Sequence, residues 1–325
     1  MRALELDCDN LIIGGGLAGL IAALRLRGSI ILLSGGLGAT AVSSGVFHPA
    51  GTDADAEDWF LSTMDGAYVR GKCVTVSGVT RSGLVPASTA CEGSPALAAI
   101  NEERPGFRRI EFMNGRSHQE IARILDHDDG AVEALADALS PIKADCVLVP
   151  PVLGIERAED VRERISRSLA MEVREYVTAP SVLGLRLIHA LKKKAAAIER
   201  LQMLDIVKAE RIVDGHVEGV MGTKGKRNIR VRAVNLFIAT GGPMTGFMVN
   251  GDRMFEPLTG ATVTRDFEAD LNENFFSDHP LMYKGIEPEL YVHGFNSVRS
   301  IGAVSCGWGL YRALLSGYHA GDGLE

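Results

Sequence analysis

At 325 residues, of which 46% are hydrophobic, the chain can bury a large core and is long enough for about two domains. Its formal net charge of -7 argues against a general surface for nucleic acids or anionic membranes, because both attract an excess of basic residues. The acidic N-terminus lacks the positive charge of a signal peptide, and no apolar run reaches the ~18–20 residues of a membrane span. We therefore expect a cytoplasmic protein with no direct membrane insertion and no nucleic-acid partner.

A glycine-rich turn joins the first predicted strand to the first predicted helix. The apolar residues 11–13 precede Gly14-Gly15-Gly16-Leu17-Ala18-Gly19, and apolar residues recur at helical spacing after it. In Gly-x-Gly-x-x-Gly, the first glycine permits a tight turn, the second leaves room for a phosphate, and the third lets the helix lie close to the strand. The helix N-terminus then faces the phosphate. We interpret these six residues as candidate cofactor-binding residues of a dinucleotide or flavin site. The alternative is a glycine-rich turn without a ligand.

The second predicted strand ends at Ser34 and Gly35, in a loop of small residues that includes Ser43, Ser44 and Gly45. Such a loop can pass close to a bulky ligand, so all five residues are candidates for the cofactor site. In dinucleotide folds this strand usually ends in an Asp or Glu that binds the adenosine ribose. Because Ser34 takes that place, the sequence favours FMN, which ends at a single phosphate, over FAD.

The middle of the chain, residues 51–199, is predicted to be an inserted α/β domain with a substrate, cap or interaction role. We expect helices over 53–68, within 117–139 and over 157–170, short strands within 72–88, and a loop over 90–106. Arg186 and His189 lie three residues apart on one predicted helix face, where they suit either an anionic substrate or a structural role. His48 follows the small-residue loop but is more often structural at such a place, so the general base is unknown.

Five cysteines are spread along the chain without a Cys-x-x-Cys pair, so no zinc or iron–sulfur site is expected and the thiols are expected to be reduced. Cys306, in the last glycine-rich loop, is the cysteine with a plausible place near a cofactor.

Short alternating strands around an Asp214-Gly215 hairpin turn are predicted for 206–231. They lead to an apolar strand at 234–238 that ends in Ala239-Thr240-Gly241-Gly242. A later strand ends at Ile301-Gly302-Ala303, where flavoproteins often keep an Asp for a ribityl hydroxyl. Thr240, Gly241, Gly242, Gly302 and Ala303 complete the candidate cofactor site.

The predicted fold class is α/β, a Rossmann-like two-dinucleotide-binding flavoprotein fold with an antiparallel β-meander and an inserted α/β domain. Residues 1–50 and 200–325 are expected to form the discontinuous flavin-binding domain.

Several separated stretches resemble one known family, the B subunits of anaerobic glycerol-3-phosphate dehydrogenase, within the wider group similar to fumarate reductase flavoproteins. The run Ala179-Pro180-Ser181-Val182-Leu183-Gly184-Leu185-Arg186-Leu187 is the most telling, because the common flavin fingerprint does not account for it. The other matching stretches are the glycine turn, Ser43-Ser44-Gly45, Val149-Pro150, Leu153-Gly154, Ala239-Thr240-Gly241-Gly242, Asn250-Gly251, Glu256-Pro257-Leu258 and Ile301-Gly302-Ala303-Val304.

The resemblance implies a flavoprotein subunit that pairs with a larger A subunit and a C subunit carrying iron–sulfur clusters. Together such subunits oxidise sn-glycerol 3-phosphate to dihydroxyacetone phosphate and pass electrons to membrane quinone, and the family is usually assigned FMN. Two alternatives stay open: a stand-alone FAD-dependent oxidoreductase of the fumarate reductase type acting on a dicarboxylate or similar acid, and a non-catalytic scaffold. We expect the partner surface to be apolar and near the flavin and to include Trp308 and Tyr311, unless both are core residues.

Overall fold

The structure is a computed structural model that describes residues 3–48, 53–179, 181–223, 225–242, 246–250, 253–263, 285–306 and 309–324. Its contacts divide the chain into two compact units. Unit 1 comprises residues 1–40 and 191–325, and unit 2 comprises residues 41–190. The domain boundaries taken from the sequence, after residues 50 and 199, stay a proposal.

Unit 1 is built on a sheet of eight described strands. The strands are β1 Leu4–Ile13, β2 Ile30–Ser34, β9 Leu201–Asp205, β10 Val207–Val213, β11 His216–Met221, β12 Arg227–Ile238, β15 Glu289–Leu290 and β16 Ser297–Ser300. Five of them run parallel in the spatial order β9–β2–β1–β12–β16. Counted along the chain, these parallel strands follow the order 3-2-1-4-5, which is the order of a doubly wound dinucleotide-binding sheet. The predicted fold class is confirmed.

The central strands of unit 1 are parallel because their residues can be buried on both faces. All five residues of β2 are buried, and so are residues 10–13 of β1. Strands covered on both faces are continuously apolar rather than alternating. The apolar runs that the sequence analysis used are therefore the middle of the sheet.

The meander is formed by β10, β11 and the first half of β12. Asp214 and Gly215 form its hairpin turn with φ values of 44° and 73°, as a type I′ turn requires. The sequence suggested two strands at 229–231 and 234–238, but β12 is continuous because no glycine or proline separates them. Its first half pairs antiparallel with β11, and its second half pairs parallel with β16.

Three α-helices of the described residues lie wholly within unit 1: α1 Leu17–Arg25, α7 Ala303–Cys306 and α8 Leu310–Tyr318. Helix α8 packs against α1, with the Arg25 guanidinium 4.0 Å from the centre of the Tyr318 ring. Tyr311 lies on the buried face of α8 and is 3% exposed, so the expectation that it forms part of an exposed partner surface is wrong. Trp308, the other residue of that surface, lies outside the described residues.

Unit 2 contains a four-stranded parallel sheet and a two-stranded hairpin. The sheet strands are β5 Ala96–Ile100, β6 Arg108–Ile110, β7 Cys146–Val149 and β8 Glu172–Glu175, in the order β6–β5–β7–β8, and the hairpin strands are β3 Tyr68–Val74 and β4 Thr80–Pro86. The helices are α2 Ala54–Met64, α3 His118–His127, α4 Asp129–Leu139, α5 Ala158–Leu169 and α6 Val182–Ala196, which continues into unit 1. The expected loop at 90–106 in fact contains β5, whose small residues gain their strand conformation from pairing with β6 and β7.

The hairpin β13 Met248–Asn250 with β14 Arg253–Phe255 completes the strands described in unit 1.

Candidate functional site

A cavity of about 570 Å³ opens at the carboxyl ends of β1, β12 and β16. All the described residues that line it belong to unit 1. The chain order of the parallel strands reverses between β1 and β12, and ligands of open α/β sheets bind at this switch point. The cavity volume falls within the roughly 300–1,000 Å³ of small-molecule and cofactor sites.

Two glycines of the glycine turn are required by the protein's own packing. Gly14 has φ 125°, and a Cβ there would overlap the carbonyl oxygen of Ala239. A Cβ at Gly19 would overlap the carbonyl oxygen of Gly14, so this glycine lets α1 lie against the end of β1. Both roles are those predicted from the motif.

Gly16 is different, because no described part of the protein requires a glycine there. It is the N-cap residue of α1, with φ -79° and ψ -173°, a conformation that any residue adopts. A Cβ at Gly16 would meet a single described atom within 4 Å, the Thr40 Oγ1 at 3.8 Å. The missing side chain therefore leaves open space in the cavity at the N-terminus of α1, where an anion is favoured.

The loop after β2 covers the glycine turn. Thr40 Oγ1 accepts a hydrogen bond of 3.2 Å from the Leu17 N–H, in the first turn of α1. Gly35, Gly36, Gly38, Ala39 and Thr40 all line the cavity. The small-residue character of this loop was predicted from the sequence, whereas the role of Thr40 was not.

Ser34 does not face the cavity in the way the FMN argument assumed. Ser34 is 1% exposed, and its hydroxyl donates a 2.8 Å hydrogen bond to the Gly36 carbonyl. It packs closely on Gly15, because a Cβ added at Gly15 would lie 2.8 Å from the Ser34 Cβ. The cavity instead continues past Gly35 and Gly36 to Val207, Lys208 and Ala209. Ser34 is explained by packing and carries no information about the length of a cofactor.

The opposite wall combines the ends of β12 and β16 with the turn after β14. Gly302 has φ 73°, and a Cβ there would lie 2.7 Å from the Ala18 Cβ, so this strand end rests directly on α1. The wall is formed by Ala239, Thr240, Gly241, Gly242, Gly246, Glu256, Pro257, Leu258, Ile301, Gly302 and Ala303.

Glu256 is the charged residue that sequence reasoning missed in this wall. Its side chain is fully buried, and its Oε2 accepts hydrogen bonds from the N–H groups of Leu258 and Thr259 and from the Thr259 hydroxyl. The Thr240 hydroxyl lies 3.5 Å from Oε1. An acidic residue between the apolar Phe255 and Pro257 was the available signal.

The structure brings most of the predicted cofactor residues together. Gly14, Gly15, Gly16, Leu17, Ala18, Gly35, Thr240, Gly241, Gly242, Gly302 and Ala303 line the cavity. Gly19 and Ser34 lie behind its wall, as described above. Ser43, Ser44 and Gly45 belong to unit 2, so their contact with a cofactor stays a prediction.

Arg186 is committed to a buried ion pair. Its guanidinium contacts both carboxylate oxygens of Glu175, whose side chain has no exposure, at 2.9 Å for Nη2 to Oε1. Glu175 also accepts hydrogen bonds from the N–H groups of Val152 and Leu153. His189 is 44% exposed and lies 3.9 Å from Glu156. This network indicates a structural role for Arg186 and leaves its guanidinium paired with Glu175 and not with an anionic substrate. The structural alternative drawn from the sequence was a solvent-facing arginine, whereas the side chain is only 12% exposed.

Cys306 lies on α7, where its thiol contacts the Gly302 carbonyl at 3.0 Å and burial raises its pKa. His48 belongs to unit 2, where its Nδ1 lies 3.4 Å from the Ser82 carbonyl oxygen.

Within the described ranges, no group of three or more His, Cys, Asp or Glu side chains is placed to hold a metal ion. None of the helices in those ranges is both long and apolar enough to cross a lipid bilayer.

Residues 9–82 match the family model of an FAD binding domain. The chain is 25% identical over 240 residues to the B subunit of anaerobic glycerol-3-phosphate dehydrogenase from Yersinia pestis bv. Antiqua, covering 71% of this chain and 54% of the relative. It is 29% identical over 249 residues to the protein of the same name from Pectobacterium atrosepticum, covering 70% and 56%. The solved p-nitrophenol 4-monooxygenase of Pseudomonas putida aligns with a TM-score of 0.42 and 13% identity, over 98% of this chain and 79% of that one.

The chain thus spans little more than half the length of the curated relatives that it matches. The comparisons support a flavin cofactor, and the matched family model describes FAD binding, so the expectation of FMN finds no support in them. The resemblance drawn from separated stretches of the sequence is confirmed: this chain is similar to the B subunits of anaerobic glycerol-3-phosphate dehydrogenase, and its residues 9–82 match the model of an FAD binding domain.

Proposed function

We propose that the cavity of unit 1 binds FAD, with the pyrophosphate at the N-terminus of α1. The observation that carries this proposal is Gly16, whose missing side chain serves no packing purpose but keeps the space beside the helix N-terminus open. The N–H groups of the first helical turn have no partner within the helix, and those other than the Leu17 N–H, which donates to Thr40, would bind phosphate oxygens. The residues present therefore fit the phosphate of a flavin cofactor.

The adenosine half of FAD would extend along Gly35 and Gly36 toward Val207 and Lys208. Because the cavity continues along these residues, it has room for more than a mononucleotide. The ribose would then have to be held without an acidic residue at the end of β2, since Ser34 is buried and hydrogen-bonded to Gly36. Lys208 is the cationic residue among those that line this part of the cavity.

We further propose that the chain is the flavoprotein subunit of an anaerobic glycerol-3-phosphate dehydrogenase. Such a complex would oxidise sn-glycerol 3-phosphate to dihydroxyacetone phosphate and pass the electrons to quinone, with A and C subunits as partners. When bound, the flavin supplies the hydride and electron chemistry, while the protein supplies position and electrostatics. The chain would reside in the cytoplasm and reach the membrane through its partners. The similarity to curated B subunits supports this proposal.

The chain's own residues would perform three tasks in this reaction. The glycine turn and α1 would bind the cofactor phosphate, the loop over Gly38 and Thr40 would cover it, and the wall at Thr240 and Gly302 would position the reactive end.

Three measurements test the proposal in order. The absorption spectrum of the purified protein shows whether a flavin is bound, and a colourless protein that takes up no added FAD would contradict the proposal. Mass analysis of the cofactor released by denaturation distinguishes FAD from FMN, and we expect FAD. Dye reduction by sn-glycerol 3-phosphate is then compared between the chain alone and the chain co-expressed with its A and C partners. We expect activity in the complex, whereas full activity of the isolated chain would overturn the proposal that it works as one part of a complex.

A further inference from the structure

Two cysteines of unit 2 lie beside each other, although β5, β6, α3 and α4 separate them in the chain. Cys91 belongs to the segment between β4 and β5, where its N–H donates a 2.9 Å hydrogen bond to the Lys72 carbonyl of β3. Cys146 is the first residue of β7. Both side chains pack against one small apolar cluster, which consists of Val74, Leu148 and Tyr176.

The two thiols are in direct contact and within reach of solvent. Cys91 and Cys146 form a side-chain hydrogen bond with each other, and the Cys91 thiol also donates to the Glu92 carbonyl oxygen at 3.6 Å. Neither cysteine is in a disulfide. Both are partly exposed, whereas Cys8 and Cys73 are buried, so a small oxidant can approach this pair from the surface of unit 2.

We propose that Cys91 and Cys146 are a site of reversible oxidation, at which hydrogen peroxide converts the two thiols into a disulfide bond. The inference is independent of the proposed function, because it does not require a flavin in unit 1.

The oxidation proceeds in two steps. The Cys91 thiolate attacks one peroxide oxygen, the O–O bond breaks, and hydroxide leaves and takes up a proton, so that Cys91 becomes a sulfenic acid. The Cys146 thiolate then attacks the Cys91 sulfur, the S–O bond breaks, the S–S bond forms and a second water leaves. Two thiols lose two electrons in total, and one peroxide molecule is reduced to two water molecules.

The surroundings of the pair decide which thiol reacts first. Burial raises the pKa of both, to about 12 for Cys146. Their mutual hydrogen bond lowers the pKa of Cys91 and raises that of Cys146, so Cys91 supplies the first thiolate. The charged groups near the pair are Glu92 and the ion pair of Glu172 with Arg174 at 2.6 Å. Because the thiolate is the reactive form, oxidation is slow at neutral pH and faster in alkaline solution.

The disulfide would close the segment 91–146, which contains two strands of the unit 2 sheet and two helices. Cross-linking a long segment restricts the unfolded chain and thereby stabilises the folded state. We expect the urea midpoint of the oxidised protein to lie roughly 1 M above that of the reduced protein.

The experiment treats the purified chain with hydrogen peroxide and follows its thiol content, its mass and its urea unfolding. We expect a loss of two of the five thiols, a decrease in mass of about 2 Da, and a peptide that links Cys91 to Cys146 after proteolysis. Dithiothreitol should reverse all three changes. The initial rate should rise ~10-fold per pH unit near neutral pH, because the thiolate fraction does so below the pKa.

Cys91→Ser is the test variant, and Cys306→Ser is the matched control, because Cys306 is also partly exposed but lies in unit 1. The control should form the cross-link and gain stability as the wild type does. Cys91→Ser should show neither the loss of mass nor the rise in urea midpoint. The comparison of oxidised with reduced wild-type protein tests the inference even if a variant fails to fold.

A wild-type protein that keeps all its thiols, gains oxygen atoms without a cross-link, or links other cysteines overturns the inference. A rate of bond formation that is the same at about pH 7 and about pH 8 also overturns it, because attack by a thiolate would then not form the bond. None of these outcomes affects the proposed function, which is tested by flavin binding in unit 1.

Discussion

The substitution Gly16→Val tests whether the glycine turn binds a ligand or is required only for packing. In the protein itself, a Cβ at Gly16 meets the Thr40 Oγ1 at 3.8 Å, an ordinary van der Waals distance. The backbone at Gly16 is extended, a conformation that suits a β-branched residue. The valine methyl groups therefore enter the cavity rather than the core.

The expected effect on folding is small because two terms oppose each other. Valine is a poorer helix N-cap residue than glycine, which costs about 1 kcal/mol. Replacing glycine restricts the unfolded chain, which stabilises the folded state by about 0.4–1 kcal/mol. The free energy of unfolding should therefore change by no more than about 1 kcal/mol.

The expected effect on flavin binding is large. If the side chain displaces the phosphate from two N–H donors, each worth about 1.5–3 kcal/mol to a charged acceptor, the loss is about 3–6 kcal/mol. At about 1.4 kcal/mol per tenfold change, the dissociation constant should rise by at least ~100-fold. The assay is titration of the apoprotein with FAD, followed by quenching of flavin fluorescence, beside a urea unfolding curve of the same sample.

Two further glycine variants complete this test. Gly71→Val places the same side chain at a glycine of β3 in unit 2, where a Cβ would have its nearest contact at 3.5 Å, and should leave FAD affinity unchanged. Gly14→Ala should destabilise the fold itself, because the alanine would be strained at φ 125° and would overlap Ala239. A folded Gly16→Val protein with the FAD affinity of the wild type would refute the assignment of the phosphate to this turn.

The remaining predictions concern unit 2. Arg186→Ala leaves the buried Glu175 carboxylate without its cation and should destabilise the protein by about 3–5 kcal/mol in urea unfolding, whereas His189→Ala, at a 44% exposed side chain, should change stability by less than about 0.5 kcal/mol. Equal effects of the two substitutions would contradict the ion-pair argument. Burial lowers the pKa of His118, so below about pH 6.5 the unfolded chain takes up a proton that the folded protein does not, and stability falls as the pH decreases. The loss in urea midpoint between about pH 7 and pH 5 should be smaller in His118→Gln, and an unchanged loss would show that His118 does not contribute to it.

The sequence could predict those parts of the fold that depend on local signals. The glycine turn identified β1 and α1, and the Asp214-Gly215 turn identified the meander, because each depends on backbone conformations that few residues adopt. It could not predict the spatial order of the sheet, in which β9 lies next to β2 although the whole of unit 2 separates Ser34 from Leu201 in the chain. Strand pairing over such distances is decided by packing, and β5, with mostly small residues, has no local signal of its own.

The candidate site divides in the same way. Gly14 and Gly19 were predicted in their packing roles, because the motif itself implies them, and the phosphate role of Gly16 stays a prediction. Thr40 and Glu256 were not, since a single hydroxyl or carboxylate has meaning only beside what it contacts, the Leu17 N–H for Thr40 and the turn at Thr259 for Glu256.

Ser34 shows that a residue at a motif position does not necessarily contact the cofactor. Ser34 was predicted to take the place of the acidic residue that binds an adenosine ribose, and its lack of charge was taken to favour FMN, but the close approach of Gly15 turns this position into a packing site. The residues that remain open to the cavity are Gly35 and Gly36. A Cβ at Gly35 would have its nearest neighbour at 3.4 Å, and one at Gly36 would meet nothing described within 4 Å.

Gly16, Gly35 and Gly36 therefore share a property that Gly14 and Gly19 lack: all three line the cavity, and a Cβ at any of them would meet no described atom closer than 3.4 Å. These three glycines lead from the N-terminus of α1 to the end of β2, along the part of the cavity that continues to Val207. FMN ends at the phosphate and would leave this stretch unused, whereas the adenosine of FAD requires it. The distribution of glycines that packing does not need is thus a physical reason, independent of the family comparison, to expect the longer cofactor.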